Sequence, residues 1–296
     1  MSQETNLNTL HFPSDWKDYS LIDCGNKRKI ERFGNTILIR PEPQAIWKPG
    51  LSEKDWYKQA DAEFIRDNIN KKNTGELEGG WKQLRKIPSQ WEIKYSSNNR
   101  QLKIGLQFTG FGHVGIFPEQ ATNWDYLMAN LKKDQKVLNL FAYTGVASVA
   151  ARTTGADVTH LDAVKNVVTW ARENMERSNL EGIRWIVEDA FKFVQREVKR
   201  EKLYDFIILD PPAYGRGPSG EKWLLEELLD QLMEGVSKIL KPDGKLILNL
   251  YSLGYSPLLC NNLLKSYFPK RKVESGELVL KSETGYLLPL SVFGRI

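Results

Sequence analysis

The chain has 296 residues, of which 41% are hydrophobic and 27% charged, and its formal net charge is +5. This length suits one large domain or two of ordinary size, and the composition is that of a globular protein with a real core. No apolar run approaches the roughly 20 residues of a membrane helix, and Met1–Leu10 lacks the order of a secretion signal. The scattered cysteines, Cys24 and Cys260, argue against a disulfide framework, and the cysteine and histidine spacing predicts no metal site. We therefore expect a cytoplasmic protein, whose mild positive charge is compatible with an RNA partner.

Residues 1–118 predict a smaller β-rich module, because short apolar runs alternate here with Gly, Asn and Pro. The polar segment Lys71–Gly80 is predicted to be an exposed loop. Strands are predicted at Asn35–Arg40, Glu92–Tyr95, Gln101–Phe108 and Val114–Phe117. Five tryptophans of this part are interpreted as core residues or, alternatively, as a stacking surface for single-stranded nucleic acid: Trp16, Trp47, Trp56, Trp81 and Trp91.

Residues 119–296 predict an α/β domain, because apolar strands alternate with helix-length amphipathic segments, as in a parallel sheet covered on both faces. The predicted strands are Lys136–Leu140, Asp157–Leu161, Ile183–Glu188, Tyr204–Leu209 and Lys245–Leu250. The predicted helices are Val146–Thr153, Lys165–Ser178, Ala190–Lys199 and Glu221–Leu240. Two last strands, Lys272–Lys281 and Tyr286–Phe293, predict a terminal antiparallel hairpin.

The first strand of this domain runs into a tight turn with glycine and then into a helix of small residues. This layout is typical of a nucleotide-binding loop, because glycine lets the backbone approach a ligand closely. The spacing is neither that of a dinucleotide-binding loop nor that of a P-loop. The candidate cofactor-binding residues in this loop are Asn139, Phe141, Ala142, Tyr143, Thr144 and Gly145.

Acids end three successive strands that are predicted to be neighbours. Asp162, followed by Ala163, is placed to accept hydrogen bonds from ribose hydroxyls. Asp189, followed by Ala190, is placed to accept one from an adenine amine, and Asp210 ends the next strand. Each acid alone could be a helix cap or a surface charge. Their repetition after a glycine turn predicts a nucleoside-like cofactor.

The third acid opens the segment Asp210-Pro211-Pro212-Ala213-Tyr214. The prolines stop the strand and stiffen its carboxyl end, which is where ligands bind in an open α/β sheet. The predicted catalytic residues are Asp210, Pro211, Pro212 and Tyr214. The loop that follows carries Arg216 and Lys222. We interpret it as a mobile lid that contacts phosphate or, equally, as an ordinary flexible loop.

Together, these motifs resemble those of class I S-adenosylmethionine-dependent methyltransferases. More narrowly, Leu138–Gly145 followed by Asp210-Pro211-Pro212 resembles the bacterial 23S ribosomal RNA methyltransferase group, which includes a cytosine-C5 enzyme and a guanine-N7 domain. The segment Gly115-Ile116-Phe117-Pro118-Glu119-Gln120 is similar to that group's Gly-x-Phe-x-Asp-Gln segment. The resemblance implies a Rossmann-like seven-stranded sheet with a reversed terminal hairpin, S-adenosylmethionine as the cofactor and contacts to it from Phe117 and Gln120.

Methylation of cytosine at carbon 5 requires a cysteine that adds to the neighbouring ring carbon. The stretch Leu248–Gly254, where the cytosine enzymes of the group carry it, has no thiol. A nitrogen or oxygen acceptor is therefore expected, with Tyr214 stacking on a splayed base and Asn249 and Tyr251 lining the pocket. A methyltransferase for a small molecule or a protein is the first alternative. A non-catalytic RNA-binding module with a retained cofactor fold is the second.

Overall fold

The computed structural model describes residues 9–13, 16–66, 79–251 and 254–296, so the loop predicted at 71–80 lies almost wholly outside the described residues. In chain order the elements are β1 (Thr9–His11), β2 (Tyr19–Gly25), β3 (Arg28–Phe33), β4 (Thr36–Pro41), α1 (Glu53–Gln59), β5 (Ala62–Arg66), β6 (Gly79–Gln83), β7 (Gln90–Ser97), β8 (Arg100–Gln107), a 3₁₀ helix (Pro118–Gln120), α2 (Ala121–Asn130), β9 (Lys136–Leu140), α3 (Val146–Arg152), β10 (Asp157–Asp162), α4 (Lys165–Arg177), β11 (Ile183–Val187), α5 (Ala190–Lys199), β12 (Tyr204–Leu209), β13 (Tyr214–Arg216), β14 (Lys222–Leu224), α6 (Leu225–Ile239), β15 (Leu240–Leu250), α7 (Pro257–Tyr267), β16 (Glu274–Lys281) and β17 (Leu287–Arg295).

The large sheet has the order β1-β16-β17-β15-β12-β9-β10-β11. The strands from β9 to β12 and β15 are parallel, and β17 is antiparallel to both β15 and β16, so the predicted Rossmann-like sheet with a terminal hairpin is confirmed. The sheet has eight strands rather than seven, because β1 pairs in parallel with β16. The strands β9 and β12 are neighbours, and the chain continues from β9 to β10 toward one edge of the sheet and from β12 to β15 toward the other. Ligands bind at such a switch point in open α/β sheets.

The amino-terminal part forms a five-stranded sheet, β2-β3-β4-β5-β6, and a separate hairpin of β7 and β8. The hairpin packs against α3 and α4. Its Ile93, Tyr95 and Ile104 belong to the same apolar cluster as Val137 and Val149 of the α/β domain. The two parts of the chain therefore share one core, and the boundary near residue 118 stays a prediction.

The tryptophans of this part fill the core, as the first interpretation predicted. Trp16 and Trp56 are buried, and Trp47, Trp81 and Trp91 pack against the apolar cluster while partly exposed. Four of the five indole nitrogens donate hydrogen bonds within the fold, as Trp47 does to the carbonyl of Cys24 at 3.0 Å, whereas that of Trp91 has no partner among the described residues. A stacking surface built from these five rings is therefore wrong.

Two local predictions are also wrong. Val114–Phe117 is irregular rather than a strand, because Gly115 has φ +96° and lies so close to Trp170 that a Cβ would approach its ring to 2.2 Å. The helix predicted from Glu221 begins at Leu225, and the residues before it pair with β13 to form a hairpin. The lid-or-loop segment is thus a β-hairpin.

Candidate active site

A cavity opens at the carboxyl ends of β9 and β12, at the switch point of the sheet. Ten of the predicted site residues line it, namely Phe117, Gln120, Asn139, Phe141, Ala142, Tyr143, Thr144, Gly145, Asp210 and Asn249. Sequence reasoning assigned no role to six further lining residues, Gly115, Ile116, Trp124, Val146, Ala147 and Ile208. Gly115 and Ile116 belong to the segment that resembles the Gly-x-Phe-x-Asp-Gln motif, whereas nothing in the spacing of the other four apolar residues separates them from ordinary core residues.

The loop after β9 is held in a strained conformation. Phe141, Tyr143 and Gly145 have φ of +56°, +48° and +79°, a left-handed region that costs a non-glycine residue free energy. At Gly145, which caps α3, a Cβ would lie 2.6 Å from that of Ala171. Asp162 holds the loop from the next strand, since its Oδ2 accepts from the Tyr143 amide at 2.9 Å. Strain kept in place by such contacts is typical of ligand-binding loops.

A second support for this loop comes from behind it. The side chain of Asn174 on α4 donates to the Thr144 carbonyl at 2.9 Å and accepts from the amide of Gly105 on β8 at 2.9 Å. Thr144 in turn donates its hydroxyl proton to the Gly115 carbonyl at 2.6 Å. The amino-terminal hairpin thus helps to fix the loop. No sequence pattern distinguishes Asn174, because it is one of several polar residues in an amphipathic helix.

Asp162 ends β10 opposite Val187, the last residue of the parallel neighbour β11, and Asp189 follows Val187 by two residues, so both acids lie at the same edge of the sheet. Asp162 is largely buried, and burial raises its pKa above the usual value although backbone amides oppose the rise. Ala163 follows it and Ala190 begins α5. Asp189 is the N-cap of α5 and accepts from the Lys192 amide at 2.9 Å. It therefore has the capping role that the sequence left open, in addition to its place at the strand end.

On the β12 side, side chains from separate segments meet around Asp210. Gln120 donates from Nε2 to Tyr251 Oη at 2.7 Å and to Asp210 Oδ2 at 3.3 Å, and Tyr251 is also hydrogen bonded to Glu119. Asp210 Oδ1 is buried and has no hydrogen-bond partner among the described residues. Burial, and then the nearby Glu119, raises the pKa of Asp210 to about 8. Burial also raises the pKa of Glu119 and that of Tyr251.

The residues after Asp210 lead away from the cavity. Trp223 of β14 anchors the hairpin, since its indole donates to the Pro212 carbonyl at 2.7 Å and its ring lies 4.8 Å from that of Phe141. Tyr214 is 36% exposed and lies outside the cavity lining, so its stacking role stays a prediction. Two other aromatic rings, those of Phe117 and Tyr251, lie 5.7 Å apart, and the hydroxyl of Tyr251 accepts the hydrogen bond from Gln120.

The two thiols are in the core, away from the cavity lining. Burial raises the pKa of Cys24 to about 11 and that of Cys260, on α7, to about 12. Among the described residues, no group of three or more His, Cys, Asp or Glu side chains is arranged to hold a metal ion. In the same part of the chain, no helix is both long and apolar enough to cross a membrane.

Comparison with known proteins identifies the family. The model of the family described as Conserved hypothetical protein 95 matches residues 120–267, which is half of the chain. The chain belongs to this family. A crystal structure described as the SAM-dependent methyltransferase from Agrobacterium tumefaciens is 37% identical and covers 100% of this chain and 96% of its own, with a TM-score of 0.85. The resemblance to S-adenosylmethionine-dependent methyltransferases is therefore confirmed, and with it the prediction of a methyltransferase enzyme.

Curated relatives of this Conserved hypothetical protein 95 member are named ribosomal RNA large subunit methyltransferase K/L. The protein of that name from Shewanella frigidimarina is 30% identical over 228 residues, 74% of this chain and 31% of the relative. The one from Pseudoalteromonas atlantica is 30% identical over 255 residues, 83% of this chain and 34% of the relative. The chain thus spans about a third of the length of these relatives.

The cavity of this family member fits the cofactor of its class. The strained β9 loop brings the backbone to the cavity wall, Asp162 stands at the next strand end, and the unpartnered Asp210 Oδ1 belongs to the opposite wall. Carboxylate oxygens can accept more than one hydrogen bond each, so Asp162 can hold ribose hydroxyls while it holds the loop. The rings of Phe117 and Tyr143, 5.6 Å apart, offer π faces to a cationic sulfonium.

Proposed function

We propose that this protein methylates a nitrogen of ribosomal RNA, with S-adenosylmethionine as the methyl donor. The unpartnered carboxyl oxygen of Asp210 is the observation that carries this proposal. A buried acceptor without a partner is costly, and an N–H of the substrate would satisfy it. Asp210 would then orient a base whose nitrogen lone pair faces the methyl group.

Carbon-5 methylation is disfavoured by the position of the thiols. A cysteine nucleophile acts as the thiolate and must reach the base. Cys260 is fully buried against Gly294, where an added Cβ would lie 2.6 Å from its Sγ. A nitrogen acceptor needs no covalent intermediate and therefore no thiol.

In this mechanism the chain mainly positions and orients the reactants. S-adenosylmethionine supplies an electrophilic methyl group on a sulfonium. Asp162 and the β9 loop would bind the nucleoside end, while Asp210 would accept an N–H of the base and the Pro211 carbonyl could share that role. Phe117 and Tyr251 would flank the splayed base, and Tyr214 at the rim would add a stacking surface.

An RNA substrate is supported by the names of the curated relatives and by the hairpin beside the cavity. Arg216 and Lys222 are exposed and directly opposite each other in the register of β13 and β14. Like charges opposite each other destabilise a hairpin unless an anion offsets them, and neither has an acidic partner among the described residues. Phosphate groups of RNA would serve as that anion. The proposal also includes a separate module at residues 1–118 that contributes to substrate binding, and a cytoplasmic location of the protein.

The test is methyl transfer from labelled S-adenosylmethionine to total RNA of a strain that lacks the gene, followed by mass spectrometry of the nucleosides. We expect label in one base-methylated nucleoside that is missing from the deletion strain. Label at carbon 5 of a pyrimidine would contradict the nitrogen acceptor. Label only in protein or small molecules would favour the first alternative, and cofactor binding without any transfer the second.

A matched pair of variants tests the RNA contact. The double variant Arg216→Gln/Lys222→Gln should weaken RNA binding and lower the magnitude of the slope of log K against log salt by about 1.4 to 1.8, the value for two phosphate contacts. The variant Lys238→Gln is the control, because Lys238 pairs with Glu234 on the exposed face of α6. Equal effects of the two would mean that the hairpin has no special contact with RNA.

A further inference from the structure

A buried chain of hydrogen bonds links the end of β17 to Asp210. Arg295 donates from a terminal guanidinium nitrogen to Asn123 Oδ1 at 2.6 Å. Asn123 Nδ2 donates to Gln120 Oε1 at 2.7 Å and to Asn249 Oδ1 at 3.0 Å. Gln120 Nε2 then reaches Tyr251 and Asp210. Arg295, Asn123, Asn249 and Gln120 are all less than a tenth exposed.

The direction of these hydrogen bonds follows from the chemistry of arginine. A guanidinium has donors and no acceptor, and it stays protonated in proteins even though burial lowers the pKa of Arg295. The Asn123 atom that faces Arg295 must therefore be its oxygen, which turns the amide nitrogen toward Gln120. By the same step, Gln120 presents its oxygen to Asn123 and its nitrogen to Tyr251 and Asp210. One fixed donor thus sets the orientation of each amide in the chain.

We call the part of the cavity formed by Gln120, Asp210 and Tyr251 the acceptor wall. The orientation of the amides determines which of its atoms donate and which accept hydrogen bonds. Tyr251 Oη accepts from Gln120, so its own proton is directed to Glu119. Asp210 Oδ2 accepts from Gln120, so Oδ1 is the oxygen that stays without a partner. With the amide of Gln120 reversed, its oxygen would face Asp210 and Tyr251 instead, and Asp210 would lose its donor.

We propose that Arg295 and Asn123 are positioning residues, which set the polarity of the acceptor wall through Gln120 and keep Asp210 hydrogen bonded at Oδ2 and available at Oδ1. The role for Asp210 rests on the proposed function, but the relay can be tested through ligand binding alone. Neither Arg295 nor Asn123 belongs to the cavity lining, so both act through other residues. Their positions, 172 residues apart in the chain, explain why no motif includes them.

The readout is the ratio of the affinities for S-adenosylmethionine and S-adenosylhomocysteine, measured by calorimetry as a function of pH. The two ligands share their adenosine and amino acid parts and differ in the cationic sulfonium. The ionisable groups that face Asp210 from the packed elements are Glu119 of the 3₁₀ helix and Tyr251 after β15, while Gln120 is neutral. Ionised Asp210 should favour the sulfonium, so the ratio should rise about tenfold or more as the pH rises toward and through 8.

The variant Asn123→Asp tests the relay with little change of shape. A carboxylate can only accept, so it would take hydrogen bonds from both Arg295 and Gln120 and reverse the Gln120 amide. Asp210 would lose the hydrogen bond from Gln120 that stabilises its ionised form. The rise of the affinity ratio should therefore occur at a pH higher by about one to two units. Arg295→Met should broaden or move the rise in the same direction, and Arg295→Lys should restore part of the wild-type profile.

The matched control is Asn261→Asp, because Asn261 is equally buried but lies on α7 and donates to Ser275. It should leave the profile unchanged. If Asn123→Asp does not fold, Gln120→Met provides the same test, since it removes the donor to Asp210 without adding a charge. An unchanged profile in the folded relay variants, or a ratio independent of pH in the wild type, would overturn the proposal. A normal profile in a protein that methylates no RNA would overturn the proposed function and still support the relay, whereas binding of neither ligand would overturn both.

Discussion

On the β9 wall of the cavity, the polar groups of the loop have partners at most 30 residues away in the chain, whereas the β12 wall is assembled from more distant segments. Tyr143 and Asp162, joined on the first wall, are 19 residues apart. On the second wall, Gln120 joins residues 90 and 131 positions away. The first wall is hydrogen bonded and strained in its backbone, and the second leaves Asp210 Oδ1 without a partner.

This difference indicates that the two walls have different roles in ligand binding. A wall whose polar groups are already satisfied holds a rigid shape, which suits a ligand part common to a whole enzyme class. A wall with a buried, unpartnered carboxyl and raised pKa values is typical of the place where a substrate completes the site. Substitutions on the two walls test whether their roles differ in this way.

The largest effect is expected at Asp210. Asp210→Asn removes the ionisable carboxyl at the acceptor wall and should lower turnover by about 100-fold or more, while the affinity for S-adenosylhomocysteine changes little. Single-turnover transfer and calorimetry measure the two quantities. Asp205→Asn is the control, because Asp205 begins the same strand and pairs with Lys241. A large loss of affinity for S-adenosylhomocysteine would instead make Asp210 part of the cofactor site.

On the β9 wall, Gly145→Ala should destabilise the fold by about 2–4 kcal/mol, because it adds both a left-handed alanine and a steric overlap with Ala171. Urea unfolding measures this loss. Gly285→Ala separates the two causes, since Gly285 has φ +93° but nothing within 4 Å of an added Cβ. It should lose only about 1 kcal/mol. Similar losses for the two variants would show that the overlap relaxes freely.

Asp162→Ala should weaken the binding of S-adenosylmethionine by about 1–3 kcal/mol, the range for a lost hydrogen bond to a charged group. The loop at Tyr143 would also lose its anchor, so part of the loss should appear in thermal stability. Asp157→Ala, at the exposed start of the same strand, is the comparison. Unchanged affinity would remove Asp162 from the cofactor site.

Tyr214→Ala separates the rim from the cavity. If the ring stacks on a base, turnover on RNA should fall by about tenfold, since stacking contributes about 1–3 kcal/mol per base, while cofactor affinity stays the same. Tyr286→Ala is the control, because Tyr286 is similarly exposed and packs near Trp47. Equal losses of turnover and cofactor affinity would instead make Tyr214 part of the cofactor pocket.

The smallest expected effect is the change of the free energy of unfolding per pH unit. The folded pKa of Asp210, about 8, lies above its usual value of 3.8, so the folded protein holds this proton more tightly than the unfolded chain does. Stability should therefore fall as the pH rises between these values, by at most about 1.4 kcal/mol per pH unit. Buried His160, with its pKa lowered to about 3, acts in the opposite sense below its usual 6.5. Between pH 6.5 and 8, above the range in which His160 contributes, urea unfolding should be less pH-dependent in Asp210→Asn, and an unchanged slope there would contradict the raised pKa.

The sequence by itself was sufficient for the α/β half and for the β9 wall. The predicted strands at Lys136–Leu140 and Tyr204–Leu209 have the observed bounds, because a run of apolar residues that ends at a glycine turn or at prolines is a local signal. The acids at the strand ends were found in the same way, since the ends of parallel neighbours meet at one edge of a sheet.

The remaining features required the assembled fold. The pairing of β1 with β16 and the contact between Asn174 and the amide of Gly105 both depend on segments far apart in the chain. The same holds for the acceptor wall, where Arg295 orients Gln120 through Asn123. Periodicity and turn residues report what a segment does alone, whereas the partner of a buried polar group depends on which distant segment packs against it.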